Sequence, residues 1–247
     1  MWKVGVVVIS IFAIAFALLP VAEFLSWAEF KITPAFAKHS HFVRLKNRAK
    51  GQTIYLLGTI HEGHFERGSG YPYEELRSVL QFVKPDLLLV EIRPESLERG
   101  KWGEGPPEMP YAMAVAQEAG IRVAGMDFWR ADYHPMRNFD EREDRMTELI
   151  SEAAMTKKVT LVFTGYSHVA GIRHRLAAAD FLLDTTFTTQ AKIRAFSTPA
   201  PGIIPKSYFT AVQEAALRAS KHLSDYPPEW AESRFRLLNR LESGQSH

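Results

Sequence analysis

Two histidines stand in the same local setting. A β-branched and aromatic run, Thr53-Ile-Tyr-Leu-Leu, breaks at Gly58, and His61 follows three residues later. A second apolar run over residues 159–164 breaks at Gly165, and His168 follows three residues later. Short apolar runs ended by glycine read as buried strands, so each histidine lies just past a strand's C-terminal end. Two more runs end on acids: Asp-Leu-Leu-Leu-Val closes at Glu91, and Ile-Arg-Val-Ala-Gly-Met closes at Asp127. In open α/β sheets that rim is where ligands and chemistry collect. Imidazole plus carboxylate is donor chemistry suited to Zn, Mn, Co or Fe. A divalent ion would acidify a bound water and polarise a carbonyl. A metal-free version uses His61 or His168 as a general base oriented by Glu91. The spacing leaves both versions open.

One cation belongs with this group. The segment 139–155 has a helical stripe of Phe139, Met146, Leu149, Ile150, Ala153 and Ala154, with Glu141, Asp144, Glu148 and Glu152 opposite. Arg142 falls inside the apolar stripe, four residues before Met146. An inward-facing arginine usually has a partner. Here it could hold a substrate carboxylate or stabilise an oxyanion.

The elements that must position these groups follow in order. Residues 41–59 read as an N-terminal β-hairpin around a polar Gly51 turn. Residues 61–70 read as a site loop. A helix spans 72–84, with Leu76, Val79, Leu80 and Val83 on one face, and Pro85 ends it. The strand before Glu91 is apolar throughout, as in a sheet covered on both faces. Residues 93–110, rich in Gly and Pro, read as a loop or lid with at most a short helical turn. A small-residue helix over 111–119 ends at Gly120. Beyond the fourth strand, 192–196 reads as a further strand and 207–223 as a helix. The order predicts an α/β domain with a mainly parallel central sheet flanked by helices, spanning residues 38–247.

Other features narrow the classes of function. The chain holds 247 residues and no cysteine, which excludes thiolate chemistry and a disulfide framework. Net charge is +2, with no basic block of the kind nucleic-acid binders carry. His61-Glu62-Gly63-His64 lacks the four-residue spacing of His-Glu-x-x-His, so His64 reads as a solvated loop residue. Ser167 lacks the glycine that a nucleophile elbow needs after it. The remaining six histidines have no motif context. Residues 4–22 are uncharged and follow Lys3, so residues 1–30 read as a membrane anchor. A cleaved signal peptide is the rival reading, with small-x-small sites at Ala28 and Ala37. Either places the domain outside the cytoplasm, at a periplasmic or cell-surface location.

Four separated elements resemble the TraB/GumN/Tiki superfamily, whose relatives include erythromycin-esterase-like and ChaN-like proteins. They are Tyr55-Leu-Leu-Gly-Thr-Ile-His61, Leu88-Leu-Val-Glu91, Glu141-Arg142-x-x-Arg145-Met146 and Gly165-x-x-His168. The resemblance covers roughly residues 42–172. It implies an α/β fold with His61, Glu91, Arg142 and His168 in one cleft, and a metal-dependent hydrolase using Mn or Co. Asp127 joins the set from its strand end, and the metal ligands would be His61, Glu91, His168 and Asp127. The chain departs from the pattern at His64 and at Glu143-Asp144, where relatives often carry Asn. The expected substrate is a peptide or small ester. The alternatives are a non-catalytic protein that binds a metal or haem-like ligand, and a membrane signalling protein with a degenerate site.

Overall fold

The computed structural model describes residues 42–65, 71–101, 105–128 and 139–187. The expected membrane segment, the strand over 192–196 and the helix over 207–223 lie outside these residues. Among the described residues no helix is long and apolar enough to cross a membrane.

The chain opens with a hairpin, β1 (Phe42–Asn47) and β2 (Gln52–Thr59), paired antiparallel from Phe42–Leu57 to Asn47–Gln52. Gly51, at φ +68°, takes the left-handed conformation in the turn between them. A 3-10 turn (His61–Phe65) follows, then α1 (Glu74–Val83) and β3 (Leu87–Val90). After α2 (Pro94–Glu98) and α3 (Glu108–Glu118) come β4 (Arg122–Gly125) and α4 (Phe139–Ala154). The described chain ends with β5 (Val159–Gly165), a 3-10 turn (Tyr166–His168), α5 (Val169–Ala178) and the two-residue β6 (Leu182–Leu183).

The six strands lie in the order β4-β3-β5-β2-β1-β6. β4, β3, β5 and β2 run parallel, while β1 pairs antiparallel with both β2 and β6. The sheet is therefore mixed. The hairpin and the short edge strand supply the antiparallel pairs, because a tight turn can only return the chain antiparallel.

Alternating strand residues bury into opposite layers, as the two-residue pleat period requires. Leu57, Leu88, Val90, Leu161 and Phe163 pack with Leu76, Val79 and Leu80 of α1 and Met109, Ala112 and Met113 of α3. Ile54, Leu56, Leu87, Leu89 and Val162 pack with Met146 and Ile150 of α4 and Ile172 and Leu176 of α5. Every residue of β3 is buried, as its unbroken Leu-Leu-Leu-Val requires.

This layering fixes where a site can form. The chain leaves β2 and β3 into helices on one face, and leaves β5, which lies between them, into α5 on the other face. The strand order thus reverses at β5. A crevice opens at the C-terminal ends of strands whose connections part to opposite sides.

One boundary departs from expectation. α3 begins at Glu108, inside the segment read as a loop, and Pro110 lies in its first turn. Proline is tolerated there because the first N–H groups of a helix have no intrahelical partner. The same segment also holds α2, opened by Pro94.

Candidate functional site

His61 directly follows β2 and Ile60, with a left-handed backbone at φ +53°. That conformation costs an L-residue roughly 1–2 kcal/mol and persists only where its surroundings impose it. His64 holds the turn in place. Its Nε2 accepts from the Ile60 N–H (2.9 Å) and its Nδ1–H donates to the Tyr71 carbonyl (2.7 Å). The ring is 1% exposed, so His64 is a buried clamp and not the solvated loop residue its spacing suggested. Burial lowers its pKa to about 4, although Glu108 and the Tyr71 carbonyl pull the other way.

The His61 side chain is 39% exposed at one end and anchored at the other. Its Nδ1–H donates to Glu108 Oε1 (2.9 Å), which also accepts from the Thr59 hydroxyl (2.5 Å). Glu108 is 0% exposed. Burial pushes its carboxyl up, but His61, His64 and Thr59 together bring it below its ordinary value. Its other oxygen, Oε2, is buried and meets no hydrogen-bond partner among the described residues. A carboxylate acceptor on Nδ1 leaves the lone pair on Nε2. The ring lies over Gly165: a Cβ at that glycine would sit 3.0 Å from His61 Nε2 and 3.5 Å from Glu91 Oε2. Only the absence of a side chain there lets β5 pass so close.

Glu91 and Asp127 come off the ends of the neighbouring parallel strands β3 and β4. Glu91 Oε2 accepts from the Gly165 N–H (2.5 Å) and the Thr164 hydroxyl (2.9 Å). Its Oε1 accepts from Arg142 Nη2 (2.7 Å). Burial opposes this charge, but Arg142, then His168, His61 and the Gly165 N–H, hold its pKa down at about 2. Asp127 Oδ1 accepts from Arg142 Nε (2.8 Å) and from the Phe128 N–H (2.7 Å). Arg142 Nη1 reaches His168 Nε2 at 3.3 Å. His168 is buried, with Phe139 stacked on its ring at 4.5 Å and Glu143 Oε1 3.1 Å from its Nδ1.

All five expected site residues therefore gather at one end of the sheet. Arg142 is the hub: Glu91, Asp127 and His168 each contact it. His61 approaches from the Gly165 side, held by Glu108. Glu108 and Glu143 were absent from the expected set. Glu108 sits in a Gly/Pro-rich stretch without periodicity, and only contact with a residue 47 positions away reveals it. Glu143 did carry a signal, since it follows Arg142 on the same helix and departs from the resembled pattern.

Glu91 Oε1, Asp127 Oδ1 and His168 Nε2 each already face the Arg142 guanidinium. Among the described residues no group of three His, Asp or Glu is arranged to hold a metal ion. Three of the four expected ligands for Mn, Co or Zn thus each spend an atom on Arg142 in this arrangement.

A cavity of 190 Å³ is walled by Asp127 and Phe128 on one side and by Arg93, Glu95, Arg99 and Lys101 on the other, a mixed lining of both charges. A larger one of 670 Å³, between Arg77, Lys84 and Arg122, lies at the N-terminal ends of β3 and β4 and holds none of these site residues.

Compared with known proteins, the chain matches no family model, no curated sequence and no solved structure.

Proposed function

We propose that the protein is a hydrolase of peptide or small ester bonds in which His61 is the general base. The observation that carries this reading is the His61–Glu108 pair. A half-exposed imidazole is held in a strained backbone position by a fully buried carboxylate, and its Nε2 is turned over Gly165. A neutral imidazole with its lone pair on Nε2 can take a proton from water as that water attacks a carbonyl carbon. The Glu108 carboxylate stabilises the imidazolium that forms, which then returns the proton to the leaving alkoxide or amine as the C–O or C–N bond breaks. Arg142 is 16% exposed and held against Glu91, whose other oxygen takes the Gly165 N–H, so its guanidinium is set to meet a substrate carboxylate or the developing oxyanion.

The resembled motif elements support the same reading, since each supplies one of the gathered side chains. The uncharged run at residues 4–22 supports a protein tethered at the outer face of a membrane.

The test is hydrolysis of aryl-ester and peptide panels by the full chain, alone and with Mn²⁺, Co²⁺ or Zn²⁺. Turnover without added metal that survives a chelator, and is lost in His61→Gln with the fold intact, is the expected result. A chelator-sensitive activity would replace the metal-free mechanism. A His61→Gln variant as active as the parent chain would end the assignment of His61.

A further inference from the structure

We infer that Glu143 is a positioning residue, which locks His168 in one neutral tautomer so that His168 can hold the Arg142 guanidinium. The inference rests on reading Arg142 as the fixed charge of the site. Its support is the hydrogen-bond arithmetic of three side chains. A carboxylate can only accept, so His168 Nδ1 must donate to Glu143 Oε1 across their 3.1 Å. A guanidinium can only donate, so His168 Nε2 must accept from Arg142 Nη1 across their 3.3 Å. The two partners together assign the proton to Nδ1 and the lone pair to Nε2. His168 is then neither a base nor a ligand in this arrangement, because both nitrogens are committed.

The fold invests in this contact. Glu143 is 2% exposed on a helix face that otherwise buries Met146, Thr147, Ile150 and Ala154. A buried carboxylate is costly unless paired. Glu143 is paired through Oε2 with Arg175 Nη1 of α5 at 2.6 Å. Its carboxylate also presses on Gly171, where any Cβ would overlap it. Phe139, at the start of the same helix, stacks on the far side of the interaction by covering the His168 ring at 19° to its plane. The chain Arg175–Glu143–His168–Arg142 thus links α5 and α4 to the acids at the ends of β3 and β4. Arg142 is steered at three atoms: Nε by Asp127, Nη2 by Glu91 and Nη1 by His168. Removing the third takes the His168 contact away from Nη1.

The experiment is nitrogen-detected NMR of the full chain with ring-labelled histidine and side-chain-labelled arginine. His168 and Arg142 signals are assigned by their loss in His168→Gln and Arg142→Lys. In the parent chain His168 is expected as the neutral tautomer protonated at Nδ1. In Glu143→Gln the amide must turn its NH₂ toward either Arg175 or His168. The single tautomer is then expected to be lost, and exchange of the Arg142 guanidinium hydrogens to quicken about tenfold, the change that one lost hydrogen bond produces. A parent chain protonated at His168 Nε2 overturns the inference, and so does a folded Glu143→Gln with both signatures unchanged. If Glu143→Gln fails to fold, the parent tautomer alone decides. Hydrolysis is assayed alongside. Altered signatures in a chain that cleaves nothing keep the positioning role and remove the hydrolase reading. Unchanged signatures in an active chain do the reverse.

Discussion

The clamp formed by His64 makes acid stability a direct readout of how the His61 turn is held. His64 is buried and neutral, accepting from Ile60 and donating to Tyr71. Its pKa is about 4 in the fold against an ordinary value of 6.5. Between these values the unfolded chain binds a proton that the folded chain refuses. The stabilisation is therefore fully present above pH 6.5 and is lost as pH falls through 4. A depression of that size corresponds to about 3 kcal/mol in total, of which ~2 kcal/mol is lost between pH 7 and 4.5. Glu91 also destabilises the fold in acid. Its folded pKa of about 2 lies below the ordinary 4.5, so its contribution is intact above pH 4.5 and disappears toward pH 2. The two windows barely overlap, which lets the histidine be measured by itself. His64→Gln is the control, because an amide can accept from Ile60 and donate to Tyr71 without titrating. Urea unfolding of the full chain at pH 7, 6, 5 and 4.5 is expected to show the parent losing ~2 kcal/mol more than His64→Gln. Amide exchange at Ile60 and Tyr73 should quicken in step, since both belong to the clamped turn. Parallel pH profiles for the two chains would falsify the claim that a buried neutral imidazole holds this turn.

Three further outcomes follow from the same geometry. Glu108→Gln keeps an acceptor for Thr59 and His61 but removes the charge, so turnover is expected to fall roughly a hundredfold with little change in melting temperature; undiminished turnover would show that the pair is structural. Arg142→Lys keeps the charge but cannot reach Glu91, Asp127 and His168 together, and urea titration should show a loss of about 2–3 kcal/mol. A stability within 0.5 kcal/mol of the parent, the range of ordinary surface substitutions, would mean the hub is not held as described. Gly165→Ala meets no backbone strain, since φ at this residue is −51°, yet its Cβ would sit 3.0 Å from the His61 ring. Catalysis should drop at least about tenfold while the melting temperature stays close to that of the parent chain, and a crystal structure should show the imidazole displaced.

Local pattern and long-range contact divided this protein between them. The strand-end positions of His61, Glu91, Asp127 and His168 could be read directly, because a buried strand needs a run of apolar residues and the first polar or Gly break marks its exit. The inward phase of Arg142 could be read too, since helical periodicity places it on the face of Met146. The paired motifs did not say that β5 lies between β2 and β3, which is what brings His61 beside Gly165 and Glu91 beside Arg142. Strand order depends on which helices cover which face, a property of the assembled core and not of any window of sequence.

Glu108, His64 and Glu143 mark the boundary most sharply. Each is a polar residue whose role is set by partners it meets only in the folded chain: a histidine 47 positions upstream for Glu108, the Ile60 amide and Tyr71 carbonyl for His64, a histidine and an arginine on other elements for Glu143. Periodicity reports which residues leave water, because that depends on local backbone geometry. It is silent on which buried polar groups pair, because a hydrogen bond is satisfied by distance in space. The sequence alone determined the hairpin, the three parallel strands that follow it, the helices of residues 74–83 and 139–154 and the rim on which chemistry could occur. Only the tertiary structure decided that the rim is organised around a guanidinium, with one imidazole held over Gly165 by Glu108 and the other held against that guanidinium by Glu143.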